Sequence, residues 1–280
     1  MRSAADGGGR GTRHAPGAER SEGAAEGRAR LAVVVPALNE AHEHGILRTL
    51  AALHAQEDDD FDLVVVDNGS TDGTPDVVRK AIAEWGRLRW RVVTEPEKGT
   101  GAAADTGMRA AIALGAELLA RTDADCLPPP GWTRAVRQAF ASGDELVAGR
   151  LLPRTDDLPV SRVQQGVLSF ALWASSTFGK VRPGNRDDGY LGPYVMTPGC
   201  NMAITASLYE RAGGFPRTRI EDVHEDRALV NAVRRLTTRY AEHREVWVRA
   251  STRRVHAWGL VRTLGWYADH RYRPEVVDIR

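Results

Sequence analysis

The apolar residues of this chain alternate between two rhythms. The run LAVVV at residues 31–35 has no polar position on either face, the pattern of a strand covered on both sides. It stops at Pro36. Ile46, Leu47, Leu50 and Leu53 then recur at helical spacing and predict one apolar stripe. After the acidic turn EDDD, a second buried strand is predicted over residues 63–66 and runs into DNGSTDGT. Thr74 followed by Pro75 reads as a helix start, a cap with proline at the first position. Val77, Val78, Ile82 and Trp85 line that helix's expected buried face. A third strand is predicted near residues 91–94, ahead of the glycine-rich KGTGAAADTGMRAAIALGA, and a fourth ends in TDADC.

The front half therefore reads β-α-β-α-β-α-β with short connections. This is an α/β doubly wound layout in a single domain, with a mostly parallel sheet and helices on both faces. Each polar motif follows a strand, at the carboxyl edge where open parallel sheets bind ligands. Beyond residue 131 the rhythm changes. Trp132, Val136 and Phe140 mark a helix and ELVAGRLL a strand, and residues 153–200 are then irregular around VLSFALWASSTFG. Regularity returns in RALVNAVRRL, where Leu229, Val230, Val233 and Leu236 keep helical spacing. A long irregular stretch inside a compact domain is more often functional than idle. The expected organisation is a disordered tail over 1–29, two halves of one domain over 30–150 and 151–256, and an extension over 257–280.

Composition adds mainly exclusions. A chain of 280 residues, 42% hydrophobic and 27% charged, is long enough to bury a sizeable core. A net charge of +1 gives no electrostatic reason to expect nucleic acid. No apolar run reaches the roughly 20 residues of a membrane-spanning helix. Residues 1–29 contain no large aliphatic side chain, so they lack the apolar core of a secretory signal. Cys126 and Cys200 lie far apart without metal-ligand spacing, so no disulfide framework is expected and a reducing, cytoplasmic location is.

Candidate chemistry concentrates in LLARTDADCLPPPGW, residues 118–132, where an apolar strand ends on Asp123 and Asp125. Like charges at a strand end repel unless a cation or hydrogen-bond donors lie between them. Strand alternation puts both side chains on one side, and hard oxygen ligands suit Mg²⁺ or Mn²⁺. The plain alternative is a pair of carboxylates capping the turn. A competing motif is GTGAAA at residues 99–104, which satisfies G-x-G-x-x-A between a strand and a helix. Asp123 ends the next strand roughly 20 residues later, the spacing of an NAD(P)-dependent oxidoreductase. That reading places the motif after the third strand instead of the first, and leaves DNGSTDGT and Asp125 without a role.

VVVPALNEAH, LVVVDNGSTDGT, a glycine-rich helix, RTDADC, TPGCNMAITASLYERAGGFP and HEDRALVNAVRR stand in that order over roughly residues 31–256. The ordered set resembles the family 2 glycosyltransferases of the GT-A fold. The resemblance implies an inverting, metal-dependent enzyme that moves one sugar from a nucleoside-diphosphate sugar to an acceptor. It implies that Pro36, Ala37 and Glu40 wrap the nucleoside and that Asp67 accepts a hydrogen bond from the base, with a leaning to uracil or guanine. Asp125 becomes the direct ligand of Mg²⁺ or Mn²⁺, and Asp123 contacts the ribose or a metal-bound water. The base that takes the acceptor's proton falls in a Glu-Asp pair. Of Glu221-Asp222 and Glu225-Asp226, the second has leucine at the family's offset, which selects Asp226 over Asp222.

The chain departs from the family in three places. Residues 103–105 read Ala-Ala-Asp where Ala-Arg-Asn is frequent, leaving Lys98 or Arg109 to supply a cation. Gln-x-x-Arg-Trp, the mark of processive synthases, is absent, which implies transfer of a single sugar. STRRVHAWG replaces the usual C-terminal pattern, and Arg253, Arg254 or His256 are available to close over the diphosphate. Arg254 is taken as the phosphate contact and His256 as a further metal ligand. Residues 153–200 fall to the acceptor side. There FALWASSTF is a core helix, or else a surface that stacks a sugar, meets a lipid at the membrane periphery or forms a homodimer contact, while KVRPGNRDDGYLGPY suits a lid. A small molecule, a glycan and a lipid-linked acceptor are all compatible. A nucleotidyltransferase and a non-catalytic nucleotide-sugar-binding module are the remaining alternatives.

Overall fold

A computed structural model of the chain describes residues 28–42, 45–154, 156, 166, 185–217, 225–259 and 262–263. Its strands are β1 (Leu31–Ala37), β2 (Phe61–Asp67), β3 (Trp90–Thr94), β4 (Leu118–Thr122), β5 (Leu146–Pro153), β6 (Asn201–Thr205) and β7 (Tyr240–Ala250). They form one sheet in the order β3-β2-β1-β4-β6-β5-β7. β1 pairs in parallel with β2 and β4, β2 with β3, and β5 with β7, while β6 runs antiparallel to both β4 and β5. The sheet is thus mostly parallel, with β6 reversed, and it takes strands from both halves of the chain.

The helices are α1 (Ile46–His54), α2 (Thr74–Glu84), α3 (Thr100–Ala113), α4 (Trp132–Ala141), α5 (Ala206–Arg211), α6 (Glu225–Arg234) and α7 (Arg253–Trp258). Both faces of the sheet are covered, which is why β1 needs apolar residues throughout. Leu31, Val33 and Val35 join one core with Ile46, Leu50 and Leu53 of α1, Val78 of α2 and Trp132 and Val136 of α4. Ala32 and Val34 join the opposite core with Ala104 and Met108 of α3, Tyr209 of α5 and Leu229, Val230 and Val233 of α6. No helix among the described residues is long and apolar enough to cross a membrane.

Three local expectations are revised. Leu47 is 44% exposed and Leu236 41% exposed. Leu47 lies one position round α1 from Ile46, off the stripe, and α6 ends before Leu236 is reached. Gly73, in the left-handed conformation at φ 83°, occupies the N-cap of α2 in place of Thr74. The Thr74 hydroxyl is committed elsewhere, accepting from the Glu40 N–H at 2.7 Å and donating to Asp72. Most of the tail expected over 1–29, FALWASSTF, Asp222 and residues 264–280 lie outside the described residues.

Strand order locates the ligand crevice. From β1 the chain builds outward through β2 and β3, then returns to place β4 on β1's other side, so the topological switch point lies between β1 and β4. The glycine-rich segment follows β3, the edge strand, and its glycines serve packing. A Cβ on Gly101 would strike the Pro216 carbonyl oxygen. One on Gly107 would strike Val34 of β1 and lie 2.7 Å from Cγ2 of Val66. Gly101 of the G-x-G-x-x-A match is thus required by packing against Pro216, and Gly99 caps α3 at a positive φ, which takes the main support from the oxidoreductase reading.

Candidate active site

The crevice is built from the loops that leave β1, β2 and β4. DNGSTDGT clamps the loop after β1. Ser70 Oγ accepts from the Asn39 N–H, Asn39 Oδ1 accepts from the Thr71 N–H, and Asp72 Oδ2 accepts from the Ala41 N–H. Asn39 adopts a positive φ of 51°, a conformation its short polar side chain tolerates. Pro36 and Ala37 are the last residues of β1, and Ala37 is core, its carbonyl accepting from the Asn68 N–H. Asp67 ends β2 as a buried carboxylate that accepts from the Ser70 N–H at 3.2 Å. Asn68 ties β2 to the glycine-rich loop, donating to the Glu95 and Glu97 carbonyls and accepting from the Gly99 N–H. Lys98 is exposed on that loop.

Asp123 and Asp125 lie just past β4, at the switch point, and each meets an arginine. Arg253, the first residue of α7, places Nη2 2.7 Å from Asp125 Oδ2 and 2.7 Å from Glu40 Oε1. Its Nη1 lies 3.2 Å from Glu40 Oε2 and 3.1 Å from His42 Nε2. Of the three candidates in STRRVHAWG, Arg253 reaches the carboxylates. His256 is exposed, and the Arg254 side chain lies outside the described residues. No group of three or more His, Cys, Asp or Glu side chains converges at metal-holding distance among the described residues. The donor set still fits a divalent cation. It is all carboxylate oxygen, partly exposed beside the switch point, and a positive group is already drawn into it.

The second arginine, Arg121 of β4, is fully buried. It reaches Asp123 Oδ1 at 3.3 Å through Nε and Glu225 Oε1 at 3.3 Å through Nη2, and stacks over Phe215 at 5.1 Å. Arg121 thereby joins the Asp123-Asp125 pair to the first turn of α6, where Asp226 stands. Asp226 accepts from the Arg227 N–H at 2.6 Å and from the Gly199 N–H at 3.2 Å. Burial pushes the Asp226 carboxyl above the ordinary aspartate range, and the two N–H donors and Arg121 only partly oppose it. Glu225 is raised for the same first reason. Asp123 is raised by burial and by the neighbouring Asp125 and Glu225 charges, with Arg121 opposing.

The departure at residues 103–105 has a structural content. Asp105 is buried, pairs with Arg109 Nε through both oxygens and accepts from the Tyr209 hydroxyl at 2.9 Å. Tyr209 in turn accepts from the Phe215 N–H, so Asp105 fastens α3 to the Gly-Gly-Phe turn below α6. Arg109 is engaged in that contact. Arg217 bridges Glu95 at 2.8 Å and Glu97 at 2.9 Å, strapping the same turn to the glycine-rich loop. Cys126 and Cys200, distant in sequence, are brought together as free thiols, and the hydrogen bond between them together with burial raises the Cys126 thiol. Asn39, Asn68 and Arg121 are the site residues that the sequence patterns did not select, and Arg253 was a candidate for the diphosphate, not for a contact with Asp125 and Glu40. The available signal for Arg121 was a lone cation inside an apolar strand, directly before two carboxylates.

A switch-point crevice with strand-end carboxylates on one side and a helix-borne acidic pair on the other defines a GT-A type α/β protein. The chain belongs to glycosyl transferase family 2, whose model matches residues 32–210. The glycosyltransferase AglE of Haloferax volcanii is 31% identical over 124 residues, which are 43% of this chain and 39% of that relative. Among solved structures, the mannosyltransferase PcManGT of Pyrobaculum calidifontis, in complex with GDP-Man and Mn²⁺, superposes with a TM-score of 0.59 at 27% identity. The match covers 82% of this chain and 60% of PcManGT. TarS of S. aureus, residues 1–349 with UDP-GlcNAc, gives a TM-score of 0.56 at 18% identity, over 80% of this chain and 59% of TarS, a likeness of fold. The chain thus spans less than two thirds of each of these three proteins.

Proposed function

We propose that the protein transfers a single sugar from a nucleoside-diphosphate sugar to an acceptor hydroxyl, with inversion at the anomeric carbon. The observation that carries this reading is the buried Arg121, which contacts Asp123 past the end of β4 and Glu225 at the start of α6, and so brings the Asp123-Asp125 pair close to the helix turn that carries Asp226. The GDP-Man and Mn²⁺ bound by PcManGT support a nucleotide-sugar donor and a divalent cation. Asp125 and Asp123 would hold Mg²⁺ or Mn²⁺, which when bound supplies positive charge to the departing diphosphate. Asp67 and the clamped loop after β1 receive the nucleoside. Asp226 takes the acceptor's proton as its oxygen attacks the anomeric carbon, and the nucleoside diphosphate leaves from the opposite side. Burial makes Asp226 a stronger base than an ordinary aspartate, and its two N–H partners keep the carboxylate oriented. Acceptor choice falls to the segment between β5 and β6, for a small molecule, a glycan or a lipid-linked sugar.

The test is thermal denaturation with UDP, GDP, dTDP or NADPH, each with and without Mn²⁺, followed by donor hydrolysis with the matching nucleotide sugar. A nucleoside diphosphate at a hundred times its Kd adds about 2.7 kcal/mol of stability. Stabilisation that needs both nucleotide and metal, with turnover of the donor, is the expected outcome. Binding without any turnover would make the protein a nucleotide-sugar-binding module, and a response to NADPH alone would return the glycine-rich loop to the oxidoreductases.

A further inference from the structure

Arg253 makes the closest contacts of any described cation to Asp125. One nitrogen, Nη2, is shared between Asp125 Oδ2 and Glu40 Oε1 at 2.7 Å each, and the other contacts Glu40 Oε2 and His42. The side chain is only 19% exposed and its carboxylate partners 24% and 9%. A positive group so enclosed repels a second cation that approaches the same oxygen. The loop side of the clasp is held in place. The Glu40 N–H donates to Thr74 Oγ1, the Glu40 carbonyl accepts from the Ile46 N–H, and the Asp125 carbonyl accepts from Arg154. Arg253 is the long, flexible member, carried on a six-residue helix.

We infer that Arg253 is an internal counter-ion that occupies the cation position at Asp125 in the donor-free protein and is displaced when a divalent cation enters. The inference rests on the proposed metal role of Asp125. Cation entry and release of α7 from Glu40 then form one exchange. The binding-ready state arises only when the cation is taken up, and the donor-free protein holds the divalent ion weakly. Were the clasp only a fastening for α7, its loss would loosen the site and leave cation affinity the same or lower.

The two accounts differ in sign. Free Mn²⁺ is measured by electron paramagnetic resonance during titration of the full chain, without nucleotide, for the wild type, Arg253→Gln and Asp125→Asn. Arg253→Gln is expected to bind Mn²⁺ tighter than wild type by about tenfold or more. Affinity that is unchanged or weaker in Arg253→Gln, with Asp125→Asn abolishing binding, overturns the exchange and leaves the metal site standing. Equal binding in Asp125→Asn and wild type, or no binding by any of the three with UDP or GDP added, overturns the metal reading as well. If Arg253→Gln fails to fold, Arg253→Lys carries the test. Lysine keeps the charge but has a single nitrogen, so it gives up the Nη1 contacts to Glu40 Oε2 and His42, and a smaller gain supports the exchange while none overturns it.

Discussion

As the proposed base, Asp226 works only when ionised, and burial raises its pKa. Activity should be present above that raised value and lost as pH falls through it. The acid limb of kcat/KM against pH, which reports the free enzyme, is therefore expected above the ordinary aspartate range, and a limb at ordinary aspartate values would move the base to another group. Asp226→Asn should keep metal-dependent nucleotide binding and lose about 10²–10⁴-fold in transfer, checked by calorimetry and by donor turnover. Arg121 carries a different cost. Arg121→Met strands the buried Glu225, and the half-buried Asp123, without their cation and should destabilise by about 3 kcal/mol in chemical denaturation. Adding Glu225→Gln should recover part of that loss, which would fail if Arg121 mattered only by filling space. At this scale the acidic residues were legible because motifs follow strand ends. Of their arginine partners, Arg121 was not legible and Arg253 was one of three candidates for a different contact, since both reach the carboxylates only through tertiary contact.

Elements were easier to read than residues, because apolar periodicity reports directly on which face is covered. The solid runs in β1 and β2 required helices on both sides, and both sides have them. What periodicity missed is how near each helix lies. α3 is built from Ala and Gly where it meets the sheet, and this composition first suggested a phosphate-binding turn. Gly107→Ala should test the packing account, since the added methyl meets Val34 and Val66 of two central strands. Overpacking of about 1–3 kcal/mol is expected, with a lower melting temperature and little change in nucleotide affinity once folded. A large loss of nucleotide affinity at full stability would return that helix to ligand binding.

On the scale of the whole molecule, strand order decides where chemistry sits, and no periodicity reveals strand order. The reversal that carries the chain from β3 back to β4 makes the Asp123-Asp125 pair central and the glycine-rich loop peripheral. At the opposite edge, near the start of β2, charge serves stability. Burial opposes ionisation of Asp62, but hydrogen bonds from Arg30 and Arg89 prevail and hold its pKa below the usual value. Such a group stabilises the fold above its unfolded pKa, and the contribution disappears as pH falls through the folded one. Asp62→Asn should lower stability by about 1–3 kcal/mol at neutral pH. The gap from wild type should close in melts at progressively more acidic pH, and a gap independent of pH would mean that charge is not its source.

The reversed strand β6 has a consequence for how such a protein can change. β5 ends and β6 begins at the same rim, the rim that carries Asp123, because the two strands run in opposite directions. Everything between them departs from the active-site edge and comes back to it. That stretch can be lengthened, trimmed or exchanged over generations while every strand keeps its place and Gly199 still arrives beside Asp226. On the proposed reading, in which that stretch meets the acceptor, new acceptors can be tried over generations while the strands that frame the donor crevice stay in place.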